Sequence, residues 1–393
     1  MINFPIAYKV AEVEKKKVLS EAEDLYKSKL LSQDQWHMIK KEYASKLYTP
    51  TIFMRVLLFI FSLIGMMTIM GPIVQIFSNI GEPGYRFLSI ILGILILFVT
   101  DKLLIIDRYH YKSGITEAGI YSAMSFLAFA ILGSDPANLM ICAIVGFLLA
   151  AFAAARYLNL LALVAAIGFL GWILYQIITG MGGMVEALMP FLFMAASGIL
   201  FWGGKKLQAR LKNVIFDDQF VIVKTIALLF FYIAGNYFVV REMSISLMGL
   251  QLSPGEDIPF AILFYLLTAL VPMGYIYWGI RQKSIIWIRI GLLTGALSIV
   301  TFKYYFSLSY PMLTVTISGA VLIVIALVFF NYLKQIRNGF TRELLLHDKW
   351  ASSDLTVLLA SQTLGGNKSN VSTDDGVVFK GGSFGGAGAG ENW

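Results

Sequence analysis

The sequence lacks most of the residues on which soluble enzymes build their chemistry. It has one cysteine, Cys142, and three histidines among 393 residues, which excludes an internal disulfide framework and a cysteine-based metal cluster. Charged residues make up 14% of the chain, against about 25% in a typical soluble protein. No Walker loop and no H-E-x-x-H motif occurs. We therefore expect no catalytic residues, no metal site and no cofactor, and we interpret the chain as a non-enzyme.

Apolar residues are abundant instead. They make up 58% of the chain, and the mean hydropathy is +0.74. A water-soluble fold of this size has too little interior for so much apolar surface, whereas a run of roughly 20 apolar residues covers the hydrocarbon core of a bilayer. The sequence predicts an all-α polytopic transmembrane bundle with about ten spans (nine to eleven). They lie near 51–78, 87–106, 115–132, 137–155, 159–178, 185–202, 220–240, 258–278, 285–302 and 312–332.

The basic residues orient these spans. With a cytosolic N-terminus, 25 of the 31 Lys and Arg residues fall in segments on the inner side, and only Arg86, Arg241 and Lys303 fall in outer loops. Such an excess is typical of cytoplasmic loops. The bias predicts a multi-pass membrane protein with both termini in the cytosol. It also accounts for the net charge of +7 without a nucleic-acid partner.

Residues 1–50 are predicted to form a cytosolic helical module, followed by the transmembrane bundle at 51–333. Two capping boxes, Ser20 with Glu23 and Ser32 with Gln35, mark helix starts. Apolar residues recur at helical spacing on both sides of Ser32 and predict a small helical hairpin. Two interpretations remain open: a docking module for a protein partner or second subunit, and a cap packed on the inner face of the bundle.

The segment Lys29–Trp36, with the sequence KLLSQDQW, carries a resemblance to a known family. Followed by a charged helix and many spans, it resembles the bacterial integral membrane proteins grouped as domain of unknown function 2157, which open with a turn of the type G-L-I-S-x-E-Q. Lys29 stands where the glycine is common, and Asp34 stands where the glutamate is. The resemblance implies a multi-span helical architecture in the bacterial inner (cytoplasmic) membrane and no particular activity.

The C-terminal end differs in composition from the bundle. Residues 334–364 contain a leucine-rich stretch predicted to form a cytosolic amphipathic helix. In residues 365–393, nine of 29 positions are glycine. Such a composition offers little apolar surface to offset the entropy of ordering, so we predict a disordered tail.

Polar residues near the outer ends of several spans suggest a candidate site. They could together line an outward-facing vestibule, with an acidic and a basic residue as opposite charges. The alternative is that polar and tyrosine side chains are simply tolerated at headgroup level. The candidate vestibule residues are Gln75, Gln176, Glu186, Asn236, Lys303 and Tyr304.

Prolines and glycines inside the spans add a second signal. Pro72, Pro190 and Pro272 lie within predicted spans, and broken helices of this kind occur in transporters, although kinks are common in any bundle. Gly291 and Gly295 form a G-x-x-x-G pair that predicts close helix packing.

Three classes of function remain open on the sequence. The first is a transporter or permease for a small or amphiphilic solute. The second is a non-catalytic membrane scaffold or accessory subunit of a larger complex. The third, an enzyme acting on lipids or the envelope, is disfavoured by the missing motifs. The expected partners are membrane lipids and a protein bound through the N-terminal helices or the C-terminal tail.

Overall fold

Helices are the main secondary structure in the computed structural model, and the residues it describes contain no β-strand. These are 6–27, 30–77, 79–134, 138–182, 188–211, 214–246 and 257–305, with five further positions between 319 and 331. The helices are α1 (Val10–Lys27), α2 (Gln33–Glu42), α3 (Ile52–Ile76), α4 (Gly81–Val99), α5 (Ile115–Leu132), α6 (Leu139–Tyr157), α7 (Leu160–Met181), α8 (Met189–Leu211), α9 (Asp217–Gly235), α10 (Tyr237–Ser246), α11 (Ala261–Gln282) and α12 (Ile285–Tyr305).

Eight of the described helices are long and apolar enough to cross a membrane: α3, α4 with its continuation to Asp107, α5, α6, α7, α9, α11 and α12. The predicted class, an all-α membrane-spanning bundle, is therefore confirmed, while the count of ten is not. Helix α8 occupies most of the predicted span 185–202 but ends in a basic segment with Lys205, Lys206 and Arg210. The predicted span 312–332, the segment 334–364 and the tail 365–393 lie outside the described residues, apart from the five positions already given.

Helices that follow one another in the chain pack as antiparallel pairs. The pairs are α4 with α5, α6 with α7, α8 with α9, and α11 with α12, and α9 also touches α7, α11 and α12. Gly291 explains the close approach of the last pair, because a Cβ there would lie 2.9 Å from the backbone nitrogen of Ile276. The close packing predicted from Gly291 is thus confirmed. Gly295 is less confined, since its nearest neighbour would be Pro272 Cβ at 3.9 Å.

The outer surface of the bundle is apolar. Helix α3 is the clearest case, because none of its 25 residues is buried and its main packing partner is α5. Phe61 and Met67 on this helix are 61% and 71% exposed. Helices satisfy their own backbone hydrogen bonds and therefore tolerate such surroundings in lipid. This face of the bundle contacts the hydrocarbon core of the membrane.

Two spans depart from a regular α-helix. Helix α4 continues as a π-helix from Thr100 to Asp107, a form that is rare and often found at functional sites. The predicted span 220–240 is interrupted, because α9 ends at Gly235 and Asn236 adopts extended backbone angles (φ −78°, ψ 126°) before α10 begins. Continuous apolar character does not reveal such a break, so the predicted span ends earlier than expected, at Gly235.

The N-terminal helices differ from the sequence prediction in one respect. The capping box of Ser32 and Gln35 is present at the start of α2. Ser20, however, lies inside α1, which runs on to Lys27. Val13 and Ala22, on either side of it, are both buried, so packing along the whole of α1 overrides the local capping signal.

Helix α1 belongs to a buried cluster at one end of the bundle. The backbone N–H of Ala7 donates to the Arg156 carbonyl oxygen over 2.9 Å, and the ring of Tyr8 packs edge-on against Tyr111 at 4.9 Å between centroids. Val13 is 1% exposed in the same cluster. Helix α2 touches α1 through the stacked rings of Tyr26 and Trp36 but buries no residue of its own. We call the end of the bundle at which Ala7, Tyr8 and Val13 pack the N-terminal end of the bundle.

Candidate functional site

One polar centre surrounds the break between α9 and α10. The Asn236 side chain is 3% exposed, and its Nδ2 donates to Tyr232 Oη over 2.8 Å and to Thr301 Oγ1 over 3.1 Å. The backbone N–H of Tyr237 donates to Thr268 Oγ1 over 2.9 Å. Helices α9, α11 and α12 are thereby joined at the break. We call Tyr232, Asn236, Thr268 and Thr301 the Asn236 centre.

The centre exists because the break frees backbone groups. An interrupted helix loses hydrogen bonds between residues four apart, and a buried polar group without a partner is costly. Hydroxyl groups from neighbouring helices take up this role: Thr268 accepts from the backbone of Tyr237. Asn236 Oδ1 in turn accepts from the backbone N–H of Val239 over 3.3 Å and so caps α10. The extended residue is held by side chains on both sides of it.

A rim of tyrosine and charged side chains lies beside the centre, at the end of the bundle remote from α1. Tyr237 Oη donates to Asp257 Oδ1 over 2.6 Å and accepts from Arg241 Nη1 over 3.1 Å. Tyr305 Oη donates to Glu242 Oε1 over 3.0 Å, and the Arg241 guanidinium sits 5.1 Å from the Tyr305 ring centroid. We call these five residues the Tyr237 rim. It offers ring faces together with both signs of charge.

A second polar centre lies at the N-terminal end. Arg156, in the last turn of α6, forms an ion pair with Asp101 in the π-helix, and the two side chains are 27% and 20% exposed. The Arg156 guanidinium also lies 5.7 Å from the ring centroid of Tyr157. Because the Arg156 carbonyl also accepts from Ala7, this residue joins the π-helix, α6 and the N-terminal segment.

The link between the π-helix and α5 closes this end. The backbone of Tyr48 donates to the Tyr109 carbonyl over 2.9 Å and accepts from the Tyr111 N–H over 3.0 Å. Partial burial, reinforced by the nearby Arg108 charge, lowers the pKa of His110. Burial likewise raises the pKa of Tyr111 and lowers that of Lys112. The link is therefore largely desolvated although it joins two spans.

Three of the predicted vestibule residues come together near the Asn236 centre. Asn236 is buried within it, whereas Lys303 and Tyr304 on α12 are exposed. The Tyr304 ring packs against Phe238 at 5.2 Å, which places it on the outside of the junction between α10 and α12. Asn236 thus lies inside the helix packing, whereas Lys303 and Tyr304 lie on the outer surface of the same region.

The other vestibule residues are spread over the molecule. Gln75 is exposed near the end of α3. Gln176 is half-buried on α7, and its Nε2 has no hydrogen-bond partner among the described residues. Glu186 lies outside the described residues. A shared vestibule of all six residues stays a prediction.

Three residues of the Asn236 centre carried no distinct signal in the sequence. Tyr232, Thr268 and Thr301 are single polar residues in apolar runs, and such residues usually bond their own helix, as Thr301 also does to Leu297. Only Asn236 stood out. The pairing of Asn236 with Thr301 spans 65 positions, and no local pattern encodes a contact of that range.

The fold and the two centres define a multi-span helical membrane protein. No family model, no curated protein and no solved structure matches the chain. The resemblance of Lys29–Trp36 to domain of unknown function 2157 therefore stays a prediction.

Proposed function

We propose that the protein transports a small or amphiphilic solute across the membrane and that the Asn236 centre is its moving and binding part. The observation that supports this is the interruption of a spanning helix by a buried polar residue. Transporters place their sites at discontinuous helices near other spans, where irregular backbone and polar side chains are available to a ligand. The intramembrane hydroxyl and amide groups are costly unless they serve packing or function.

The chemistry of the centre and the rim favours an amphiphilic solute. The Asn236 amide and the hydroxyls of Thr268 and Thr301 both donate and accept hydrogen bonds, so they suit a neutral polar group. The rings of Tyr237 and Tyr265 are stacked at 3.9 Å and provide an apolar surface beside it. Arg241 and Asp257, on the same rim, would orient a charged or zwitterionic end.

We infer the orientation from the distribution of basic residues. An inner-membrane protein of a bacterium with both termini in the cytosol places α1 and the Arg156 ion pair on the inner side. The Tyr237 rim then faces outward. Solute would enter from the rim, and the N-terminal end would form the inner closure.

A scaffold or accessory subunit is the second candidate, favoured by α2. This helix buries none of its residues, and its Met38 is 72% exposed. Helix α1 holds α2 at the bundle but leaves the surface of α2 exposed. A protein partner bound through this helix would make the chain a membrane anchor.

Water access to the Asn236 centre distinguishes the two candidates. In a Cys142→Ser background, Ser298→Cys places a thiol beside Tyr232, because the two side chains are hydrogen-bonded. Ser298 lies on α12 and is 8% exposed. A charged, membrane-impermeant thiol reagent should label it slowly, because a transporter must open this centre to water. Thr294→Cys, one turn away and 0% exposed, is the matched buried control, and Ser134→Cys in an exposed loop is the accessible one.

The labelling rates decide the outcome. A rate at position 298 between those at 134 and 294 supports the transporter. If position 298 stays unlabelled while position 134 is fully modified, the Asn236 centre is a packed structural network. The scaffold would then become the better proposal.

A further inference from the structure

Three basic side chains from separate parts of the chain meet beside the first turn of α3. Lys16 comes from α1, Arg55 from α3 and Lys112 from the link before α5, and the three lie close enough for each charge to act on the others. We call them the Arg55 cluster. Each is partly buried, although cations at the start of a membrane span usually extend into water. Their convergence is not a consequence of helical spacing and needs a structural cause.

The cause is the path of the chain around residues 48–49. Lys16 Nζ donates to Thr49 Oγ1, which brings α1 to the residues just before α3. The pairing of Tyr48 with the backbone on both sides of His110 brings Lys112 to the same place. The cluster is thus assembled by backbone and side-chain contacts on three elements.

Gly114 tightens this arrangement. Its backbone has φ +88°, and a Cβ there would overlap the Arg55 carbonyl oxygen. Only glycine allows the link to approach the first turn of α3 so closely. Lys112, two residues earlier, itself adopts a left-handed conformation with φ 48°. The sequence therefore accepts backbone strain to hold Lys112 next to Arg55.

Asp218 and Glu117 offset the positive charge of the cluster at Lys112 only in part, since burial still lowers the pKa of this lysine. Among the described residues, Arg55 and Lys112 form no ion pair within 4.0 Å, and the buried Arg55 Nε has no hydrogen-bond acceptor. Glu117 is engaged by the Gly114 N–H at 2.7 Å and by the Thr116 hydroxyl at 2.8 Å. Asp218 lies 3.9 Å from Lys17 and is half exposed.

Burial makes this imbalance costly. Desolvation lowers the pKa of Lys16 and of Lys112. Asp218 opposes this effect at Lys112, whereas the Arg55 charge adds to it at both lysines. Glu23 offsets Lys16 only in part, since it is itself paired with Lys27 at 2.8 Å. Like charges brought together out of water favour an added anion. A phosphate group, with several acceptor oxygens, matches one guanidinium and two ammonium groups.

The surroundings point to a lipid as the source of that phosphate. Arg55 sits at the start of a helix with no buried residue, and Phe53, Val56 and Ile60 near it are 59%, 52% and 48% exposed. We propose that the Arg55 cluster binds the phosphate of an anionic phospholipid whose acyl chains lie along α3. Basic pockets between spans bind lipid headgroups in this way. The bound lipid ties α1, α3 and the link before α5 together.

The experiment compares lipids around the purified full-length protein. Wild type and variants are placed in nanodiscs of phosphatidylcholine alone or with phosphatidylglycerol, and bound lipid and apparent Tm are measured. Wild type should bind phosphatidylglycerol preferentially and gain Tm from it. Arg55→Gln and Lys112→Gln should each reduce that preference about fivefold, the effect expected of one cation at a membrane surface. Lys102→Gln, an exposed lysine at the same end of the bundle, is the control and should change nothing.

The measurement in phosphatidylcholine alone distinguishes lipid binding by Arg55 and Lys112 from a purely structural role of these residues. There Lys112→Gln should leave Tm unchanged or raise it, because it removes a desolvated like charge that Asp218 and Glu117 balance only in part. Loss of Tm in both lipids overturns the proposal, and so does a phosphatidylglycerol preference that survives both variants. Arg55→Lys keeps the charge and should retain most of the preference. A third arm adds inorganic phosphate to phosphatidylcholine discs, and equal stabilisation there would contradict a lipid as the source.

Discussion

Asp101 and Arg156 are paired across 55 positions of sequence, one in the π-helix and the other in the last turn of α6. Both side chains are about three-quarters buried, and α5, which lies between them in the chain, packs on both α4 and α6. The pair therefore fastens the first four spans at the end where the N-terminal segment docks.

Asp101→Asn should destabilise the protein by roughly 1–3 kcal/mol, since it leaves a partly buried guanidinium without its anion. Full burial would make the loss larger. The measurement is apparent Tm in detergent for Asp101→Asn, Arg156→Gln and the double variant. A double-variant loss equal to the sum of the single losses would show that the two side chains do not interact.

Tyr8→Ala should release the N-terminal segment from the bundle. Tyr8 is 4% exposed, and truncation of a buried aromatic ring removes roughly 3–5 kcal/mol. Limited proteolysis should then cleave within α1 several-fold faster, while the spans resist. Tyr43→Ala, at a position 39% exposed, is the matched control. Equal cleavage of both variants would mean that Tyr8 does not anchor the segment.

Gly114→Ala should be strongly destabilising. The added Cβ meets the Arg55 carbonyl oxygen, and φ +88° is strained for any other residue. The expected loss is roughly 2 kcal/mol or more, visible as reduced yield and apparent Tm. Gly65→Ala lies in open space in α3 and should be neutral or slightly stabilising. A tolerated Gly114→Ala would contradict the close approach of the link.

Stability should fall as the pH drops below about 6.5, the ordinary pKa of histidine. Burial lowers the pKa of His110 in the folded protein, so the unfolded chain takes up this proton first and gains relative to the native state. Comparing apparent Tm at pH 7.5 and 5.5 tests this. His110→Gln should reduce the change in apparent Tm between the two pH values. His37→Gln, on the exposed α2, should leave that change as it is in the wild type. An identical slope in all three proteins would exclude His110 as the cause.

The sidedness inferred from charge is tested by reporter fusions. Ser113 and Ser134 flank α5, so fusions after them should report opposite sides, with Ser113 inside and Ser134 outside. Fusions after Lys283 and Gly255 form a second pair of the same kind, inside and outside respectively. Two reporters of one pair on the same side would refute the topology.

The sequence predicted the spans well because the length of an apolar run is a local property. Eight of the ten predicted spans overlap a described helix that is long and apolar enough to cross a membrane, and the Ser32 cap is where the capping box placed it. The break at Asn236 escaped prediction because its hydroxyl partners come from α11 and α12. Ser20 was misread since packing of α1 outweighed a capping signal. The Arg55 cluster depends on three segments meeting, which residue spacing alone does not specify.

The hydrogen bond from Ala7 to Arg156 also fixes an order of assembly. The acceptor is synthesised about 150 residues after the donor, which at 5–20 residues per second is a delay of roughly 8–30 s. During that time the apolar side chains of α1 have no bundle to pack against. A ribosome-associated chaperone or the membrane surface would have to shield them. Helix α1 is therefore made before the spans but is among the last helices to reach its native position.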